Sequence, residues 1–497
     1  MSSDDSAYSV KKLFNQTIIY GIGLIVSKTI NFILLPLYTN FFSSEELGLY
    51  NLVYSIWAFS MVFYSVGLET SFLKFFIERN NKDSKTDVYS STLIGTAITS
   101  LFFSAILFIL SFYLPYWLSF SNPEKGVRLI QLVSFVMLFD LLYRFPLLLL
   151  RCELRAKMFI FISNLFFISN LLLNIFFIII LKYNVEAIFY SYLISSIIAL
   201  VCGLFVTKDF IEIKFDSYIF KKMVILGSNF ILMGFFLIVI EQSDRFFLNY
   251  FYDESVVGIY STCYRLGSIL LLAIMAFKLS WTPYFLNIAK DSKSKVHIAK
   301  IFTYFIFTGL LMFLFFFLFL DDIVRLNIFG FEIINRNFWS GLKIVPAILL
   351  SFFFWGLYLN FSVIPLFTEK PVYLIWITLA GCLLNLALNF ILIPRYEILG
   401  AAFATLISYI FMFVVLYFVS QKFYFIRYEW KKIFMMSVSI IFICSINIIT
   451  STILNTSSAI FLNATLLISF LLLMNFLNVV KFNKLKLLFI KNNSTDL

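Results

Sequence analysis

Residues 302–320 read FTYFIFTGLLMFLFFFLFL, nineteen positions without a single charge. About 20 consecutive apolar residues in a helix cross the hydrocarbon of a bilayer, and this run reaches that length uninterrupted. Working outward from it, thirteen further segments share its character: about 14–38, 47–68, 89–113, 128–149, 158–181, 185–207, 222–243, 256–280, 342–367, 372–393, 398–420, 433–450 and 458–480. The whole chain has the same bias. Of 497 residues, 61% are hydrophobic and 13% charged, with a mean hydropathy of +0.95. A soluble domain averages about 45–50% apolar and about 25% charged residues, so a soluble enzyme, a disordered tail and a nucleic-acid-binding module are excluded. The expected fold class is an all-α polytopic membrane protein with about 14 transmembrane helices. The first apolar stretch is too long for a signal peptide and has no cleavage site, so it is expected to stay in the mature protein.

The scarce residue types narrow the chemistry. His297 is the single histidine and lies among Lys290, Lys293, Lys295 and Lys300, where it reads as a solvated loop residue. A multi-histidine metal site cannot be built within one such chain, and a solvated loop histidine is not expected to serve a Ser-His-Asp triad. Cys152, Cys202, Cys263, Cys382 and Cys444 are scattered without a C-x-x-C and read as apolar packing residues. No metal site is expected. An even number of spans places both termini on one side. With the termini inside, 26 of the 38 Lys and Arg fall in inside segments, seven in outside segments and five within spans. The positive-inside rule then predicts a multi-pass protein of the cell inner (cytoplasmic) membrane with cytoplasmic N- and C-termini. It also accounts for most of the +11 net charge without a nucleic-acid partner.

The spans contain an internal repeat. Gly48-Leu49-Tyr50 with Tyr54 follows Glu45-Glu46, and Gly258-Ile259-Tyr260 with Tyr264 follows Asp253-Glu254, an offset of 210. Asn170 and Asn174 match Asn385 and Asn389 at 215, and Leu193-Ile194-Ser195 matches Leu406-Ile407-Ser408 at 213. This predicts two pseudo-symmetric six-helix bundles, 1–210 and 211–421, and two extra helices with a basic tail over 422–497. Six is even, so the halves share one orientation. Parallel repeats that rock about a central site are a transporter architecture, although a pore can also be pseudosymmetric.

Several stretches carry a family resemblance: Ser43-Ser44-Glu45-Glu46-Leu47-Gly48-Leu49-Tyr50, Gly67-Leu68-Glu69, Ser243-Asp244-Arg245-Phe246-Phe247-Leu248, Val257-Gly258-Ile259-Tyr260-Ser261, and Leu388-Asn389-Phe390-Ile391-Leu392-Ile393-Pro394-Arg395-Tyr396 running into Gly400-Ala401-Ala402. In order and spacing, from about residue 8 to 480, the chain resembles the Wzx-like polysaccharide flippases, relatives of the lipid II flippases and the MATE exporters. The 6+6+2 arrangement is also that of the flippase branch. Relatives often carry Arg after the Gly-Leu-Glu motif; this chain has Lys74 further on, and an ammonium is not a bidentate guanidinium.

The resemblance implies a substrate: an oligosaccharide on a polyprenyl pyrophosphate, carried from the inner to the outer leaflet by alternating access for surface polysaccharide biosynthesis. Membrane lipids, a polysaccharide polymerase and other assembly proteins are the implied partners. Moving a glycan and an anionic pyrophosphate past about 30 Å of hydrocarbon requires a wet, polar cavity with positive charge, because buried charges cost several kcal/mol each.

Ionisable residues within spans are therefore the candidates. Lys28, mid-way along the first span, and Arg265, just after Tyr264, read as cavity cations; Ser55 stands at the position equivalent to Arg265. Lys278, near the inner end of the eighth span, reads as a cavity cation or a snorkelling side chain. Asp140 and Arg144 sit one helical turn apart and read as a self-neutralising pair or a coupling site. Glu241 and Asp244, like Glu69, read as charges at span ends, or the first two as ligands of a coupling ion. The paired asparagines suit hydrogen bonds between membrane helices, and the paired tyrosines suit the interfacial aromatic belt or sugar stacking.

No P-loop motif is present, so no ATP coupling and no cofactor is expected, and an H+ or Na+ gradient is the implied drive. The chain is not expected to be an enzyme. Two alternatives are a MATE-type multidrug/cation antiporter, disfavoured by the basic residues within spans, and a membrane glycosyltransferase or O-antigen polymerase. The longest outside stretch, about 321–341 with Asp321, Asp322 and Glu332, offers the latter little.

Overall fold

The computed structural model describes residues 32–477, apart from 80, 292–293, 329 and 452–455. They form α1 (Phe32–Phe41), α2 (Ser44–Ser65), α3 (Leu68–Ile77), α4 (Lys82–Leu110), α5 (Leu114–Trp117), α6 (Pro123–Cys152), α7 (Ala156–Ile175), α8 (Glu186–Val206), α9 (Ser217–Phe251) and α10 (Glu254–Gly267). Beyond these lie α11 (Ile269–Ile288), α12 (Ser294–Arg325), α13 (Val345–Phe367), α14 (Val372–Phe423), α15 (Trp430–Ser451) and α16 (Thr456–Phe476). A two-residue hairpin pairs Asn327–Ile328 with Phe331–Glu332, and a 3₁₀ segment covers Arg336–Ile344.

Local chemistry sets the element ends. Ser43 caps α2: its Oγ accepts from the Glu46 N–H at 3.1 Å, while Glu46 accepts from the Ser43 N–H at 3.2 Å. This reciprocal capping box satisfies two otherwise orphaned donors. Asp216 caps α9 by accepting from the N–H groups of Tyr218 and Ile219. Val66 and Gly67, both with positive φ, break the second span into α2 and α3.

Eleven helices among the described residues are long and apolar enough to cross a membrane, twelve if the bent α9 is one span. This count among the described residues differs from the expected number of about 14 at two segments. The first segment begins before residue 32, so only α1 of it lies within the described residues. The eleventh and twelfth segments are fused in α14, whose backbone leaves helical geometry at Glu397 (φ 53°, ψ −129°) after Pro394. A Cβ on Gly400 would lie 2.4 Å from the Leu392 carbonyl oxygen. Eight residues of straight helix would hold those positions about 12 Å apart, so the chain folds back on itself there. The eighth segment is likewise divided, at Ser268, into α10 and α11.

The chain forms two compact units. The first contains residues through Arg265, with 334–344 and 378–408. In it α6 packs against α4 and α8, α7 against α8, and α2 against α9. Lipid supplies no hydrophobic drive between helices, so close packing of small residues and interhelical hydrogen bonds hold them. Both asparagine pairs take that role. Tyr38 donates to Asn174 at 3.0 Å, and Ser243 donates to Asn385 at 3.3 Å; Asn174 and Asn389 donate back one turn to Asn170 and Asn385. The two glycines of the repeated motif meet where α2 and α10 begin. A Cβ on Gly48 would stand 1.7 Å from the Glu254 carbonyl oxygen, and one on Gly258 1.9 Å from that of Ser44. The contact is reciprocal, because Gly258 is to Gly48 as Glu254 is to Ser44 in the 210-residue offset. Only glycine allows α2 and α10 to cross so closely. Ser44 and Ser255 share a 2.6 Å hydrogen bond beside the crossing, and Glu254 accepts from the Ser121 N–H at 2.8 Å.

The second unit contains 266–333, 345–377 and the chain from Tyr409. Here α11 packs on α13, and α12 on α13, α15 and α16. Its core is aromatic: Trp355 stacks on Tyr358, and Phe302 meets Phe361 and Tyr428. The Trp281 indole donates to the Asn360 carbonyl at 3.1 Å. Before α15, Glu429 accepts from Thr303 at 2.8 Å and from Lys432 at 2.6 Å. Burial alone would raise this carboxyl's pKa; the two donors outweigh that and hold it below its usual range.

Candidate functional site

The in-membrane charges gather in the first unit, in three groups. The first is built on Arg265 of α10. Its guanidinium lies 5.4 Å from the Tyr50 ring, and it donates to the Tyr50 hydroxyl at 3.3 Å and to the Asn51 side chain at 3.4 Å. Tyr50 and Asn51 belong to α2, so the cation that breaks the repeat's symmetry is held by the repeat-related helix. Ser55, its sequence counterpart, donates to Gln242 of α9 at 3.0 Å.

The second group is Asp244 with Arg245. Asp244 accepts from the Arg245 guanidinium at 2.7 Å, from the Arg245 N–H at 2.9 Å and from the Tyr260 hydroxyl. The guanidinium lies 4.6 Å from the Tyr264 ring and donates to the Glu241 carbonyl. Sequence reasoning placed these charges at a span end. The structure instead buries Asp244 completely and Arg245 almost so, because each neutralises the other and Tyr260 and Glu241 take up remaining bonding capacity.

The third group joins Asp140 and Arg144 of α6, bonded at 2.8 Å as the i,i+4 spacing predicts. Two partners were not legible in that spacing. Arg144 also donates to Glu69 of α3 at 3.1 Å, and Tyr192 of α8 donates to Asp140 at 3.2 Å. An aromatic file along α2 links this group to the first. Tyr50 lies 6.1 Å from Tyr54, Tyr54 5.6 Å from Trp57, and Trp57 4.5 Å edge-on to Tyr192, centroid to centroid. Positions 50, 54 and 57 repeat at helical spacing, a signal present in the sequence. Tyr192 had none, and Glu69, visible in sequence as a span-end charge, gave no sign of its partner, because packing alone brings these groups together.

Of the other candidates, Lys28 lies outside the described residues. Lys278 is exposed on α11 and belongs to the second unit. Among the described residues no cluster of three His, Cys, Asp or Glu side chains could hold a metal ion. At the start of α10, burial raises the Glu254 pKa against the lowering effect of the Ser121 N–H.

With this geometry in place, the comparisons with known proteins are informative. Residues 37–285, half of the chain, match the family described as "Polysaccharide biosynthesis protein". The chain belongs to this family. The matched region covers α2 to α10 and so contains all three charged groups. No curated protein matches the sequence. Among solved structures, the chain is similar to the lipid II flippase MurJ in its inward closed conformation (TM-score 0.74, 16% identity, 93% of this chain and 100% of that one). It is also similar to an inward-facing multidrug resistance MATE family transporter of the MOP superfamily (TM-score 0.65, 15% identity, 82% and 98%). A third is the Vibrio cholerae MATE transporter VcmN in its bent form (TM-score 0.57, 15% identity, 84% and 98%). At these identities the likeness is one of fold.

Proposed function

We propose that this member of the polysaccharide biosynthesis family is a flippase. It carries polyprenyl-pyrophosphate-linked oligosaccharide repeat units from the inner to the outer leaflet of the cytoplasmic membrane, with both termini cytoplasmic. The observation that carries the reading is Arg265, a permanent cation within a span, cradled by Tyr50 and Asn51. An arginine at membrane depth is costly, and such residues mark substrate or ion paths. A pyrophosphate is the anion that the family's chemistry supplies, and a guanidinium binds it bidentately. Lys28 and Lys278 are the further cations of the same proposal. The prenyl tail stays in lipid while the headgroup crosses.

The reading needs no catalytic residue and no organic cofactor. Drive comes from an H+ or Na+ gradient, with Asp140, Glu241 and Asp244 as the acids within the membrane. A polymerase on the outer face would consume the product. A MATE-like fold is shared with exporters, but an arginine cradle is ill suited to cationic drugs.

Arg265→Ala should abolish most transport of a lipid-linked glycan in proteoliposomes while leaving membrane insertion intact. Arg265→Lys should recover only part of it, since an ammonium is not a fork. Full activity of Arg265→Ala would overturn the assignment.

A further inference from the structure

A groove opens on the second unit between α11 and α12. Both helices pack more closely on α13 than on each other. Two glycines draw them down to that floor. A Cβ on Gly309 of α12 would stand 2.7 Å from the Phe353 ring, and one on Gly356 of α13 would stand 2.9 Å from Phe305 and 3.1 Å from Ile274. What remains between α11 and α12 is a cavity of about 240 Å³. The rings of Phe277, Tyr304, Phe305 and Phe353 line it, and Ala273 and Gly309 are its smallest lining residues. Thr308, also in the lining, donates its hydroxyl proton to the Tyr304 carbonyl at 2.9 Å. Few polar partners are left, so the space suits hydrocarbon and not ordered water. Tyr304 and Thr308 are exposed, so the groove is open along its side. From Ile301 to Met312, α12 rises about 16 Å, half of a hydrocarbon core of about 30 Å.

Positive charge stands toward one end of this groove. Lys278 follows Phe277 on α11, and the Phe277 ring lies 4.5 Å from that of Phe305. Lys278 is therefore nearer the Ile301 end than the Met312 end. It is exposed, and among the described residues it has no ion-pair partner. It also lies about 15 Å from the end of α11 at Ile288. An ammonium without a partner at such depth is costly and marks a functional path. Lys300, exposed as well, directly precedes Ile301. With both termini cytoplasmic, as proposed above, this end of the groove faces the cytoplasmic leaflet and the other reaches the middle of the bilayer. A cation at headgroup side and an apolar length of one leaflet together complement an anionic lipid.

We infer that the α11–α12 groove is the place where the lipid-linked glycan docks from the cytoplasmic leaflet, its polyprenyl chain in the groove and its pyrophosphate at Lys278. This rests on the flippase reading and deepens it, because it names the part of the protein that recognises the carrier chain. A prenyl chain carries a flat double bond and a methyl branch in every repeat. Rings at four of the eleven lining positions offer flat faces to the double bonds, and Ala273 and Gly309 leave room for the branches. The double bonds also stiffen the chain, so it loses less freedom on docking than a saturated chain does. Lys278 serves loading, and Arg265 of the first unit serves the transfer.

The test uses the purified full-length protein in nanodiscs of zwitterionic phospholipid. Three pyrophosphates carry the same neutral disaccharide: one on a long polyprenyl chain, one on a straight alkyl chain of equal carbon number, and one capped by a methyl group. The wild type should bind the prenyl lipid about tenfold more tightly than the straight-chain lipid. Thr308→Trp fills the groove from an exposed position. It should weaken the prenyl lipid about tenfold and leave the methyl-capped compound unchanged. Lys278→Gln should weaken both long-chain lipids about fivefold. A diazirine midway along the prenyl chain should crosslink to α11 and α12, and an excess of phosphatidylglycerol should not displace it. Equal binding of the prenyl and straight-chain lipids overturns the inference. So does prenyl binding unaltered in Thr308→Trp or in Lys278→Gln, an equal loss with the methyl-capped compound in Thr308→Trp, or a crosslink elsewhere or displaced by phosphatidylglycerol. In each of these cases the flippase reading stands on the wild type's binding of the glycan pyrophosphate. A wild type that binds none of the three overturns both.

Discussion

At the scale of single residues, Glu397 shows the cost of the turn that divides α14. Its φ of 53° with ψ of −129° lies in a region that favours glycine, at a cost of order 1–3 kcal/mol. Glu397→Gly should raise stability by about 1 kcal/mol, the strain relieved less the entropy that glycine adds to the unfolded chain. Thermal unfolding in detergent measures this directly. Glu254 makes a second residue-scale statement. Burial raises its carboxyl pKa above the unfolded value, so the protonated form favours folding. That contribution is complete below the unfolded value near about 4.3 and is lost as pH rises through the raised folded value. Glu254→Gln keeps an acceptor for Ser121 and cannot ionise. Its melting temperature, relative to wild type, should therefore climb as pH rises across the carboxylate range, and a constant difference would refute the buried-carboxylate account. Of the site residues, Asp140 with Arg144 was legible because an i,i+4 pair is local. Glu69 and Tyr192 were not, since no local pattern tells which helix will stand opposite.

At the scale of elements, the α2–α10 crossing is the most tightly specified contact of the first unit. The repeated G-[LI]-Y motif announced a duplication in sequence, but not that its two copies would touch. The reason for its glycines is visible only in the reciprocal approach of Gly48 and Gly258 to the opposing backbones. The proposed alternating access requires this contact to part. Ser44 and Ser255, whose hydroxyls are 2.6 Å apart, are the pair at which cysteines are close enough to test for a disulfide, whose sulfurs stand about 2.0 Å apart. The double variant Ser44→Cys, Ser255→Cys should transport when reduced, stop when oxidised and recover with reductant. Undiminished transport by the oxidised protein would make the crossing permanent packing instead of a gate. The helix ends were partly legible as well: Ser43 with Glu46 reads as a capping box in sequence and is one in space. The break within α14 was legible too: the hydropathy pattern shows two segments, and between them the backbone leaves helical geometry at Glu397 and folds back.

At the scale of the whole molecule, composition and hydropathy decided the fold class, because 61% hydrophobic residues in runs of bilayer length leave few other solutions. The family match over residues 37–285 and the MurJ-like fold agree with the motifs that carried the resemblance. What composition could not supply was the arrangement of the charges: a guanidinium held by tyrosine and asparagine, a sealed ion pair, and a guanidinium between two carboxyl groups. The first and the last depend on contacts across 52 to 215 positions of sequence. The central claim is that this arrangement passes a lipid-linked glycan through the membrane. Its most direct test is the leaflet in which repeat units accumulate in cells that lack the protein. The account predicts single, unpolymerised units on the inner leaflet, restored to the outer leaflet by the wild type and not by Arg265→Ala. Units that reach the outer leaflet without the protein would contradict it.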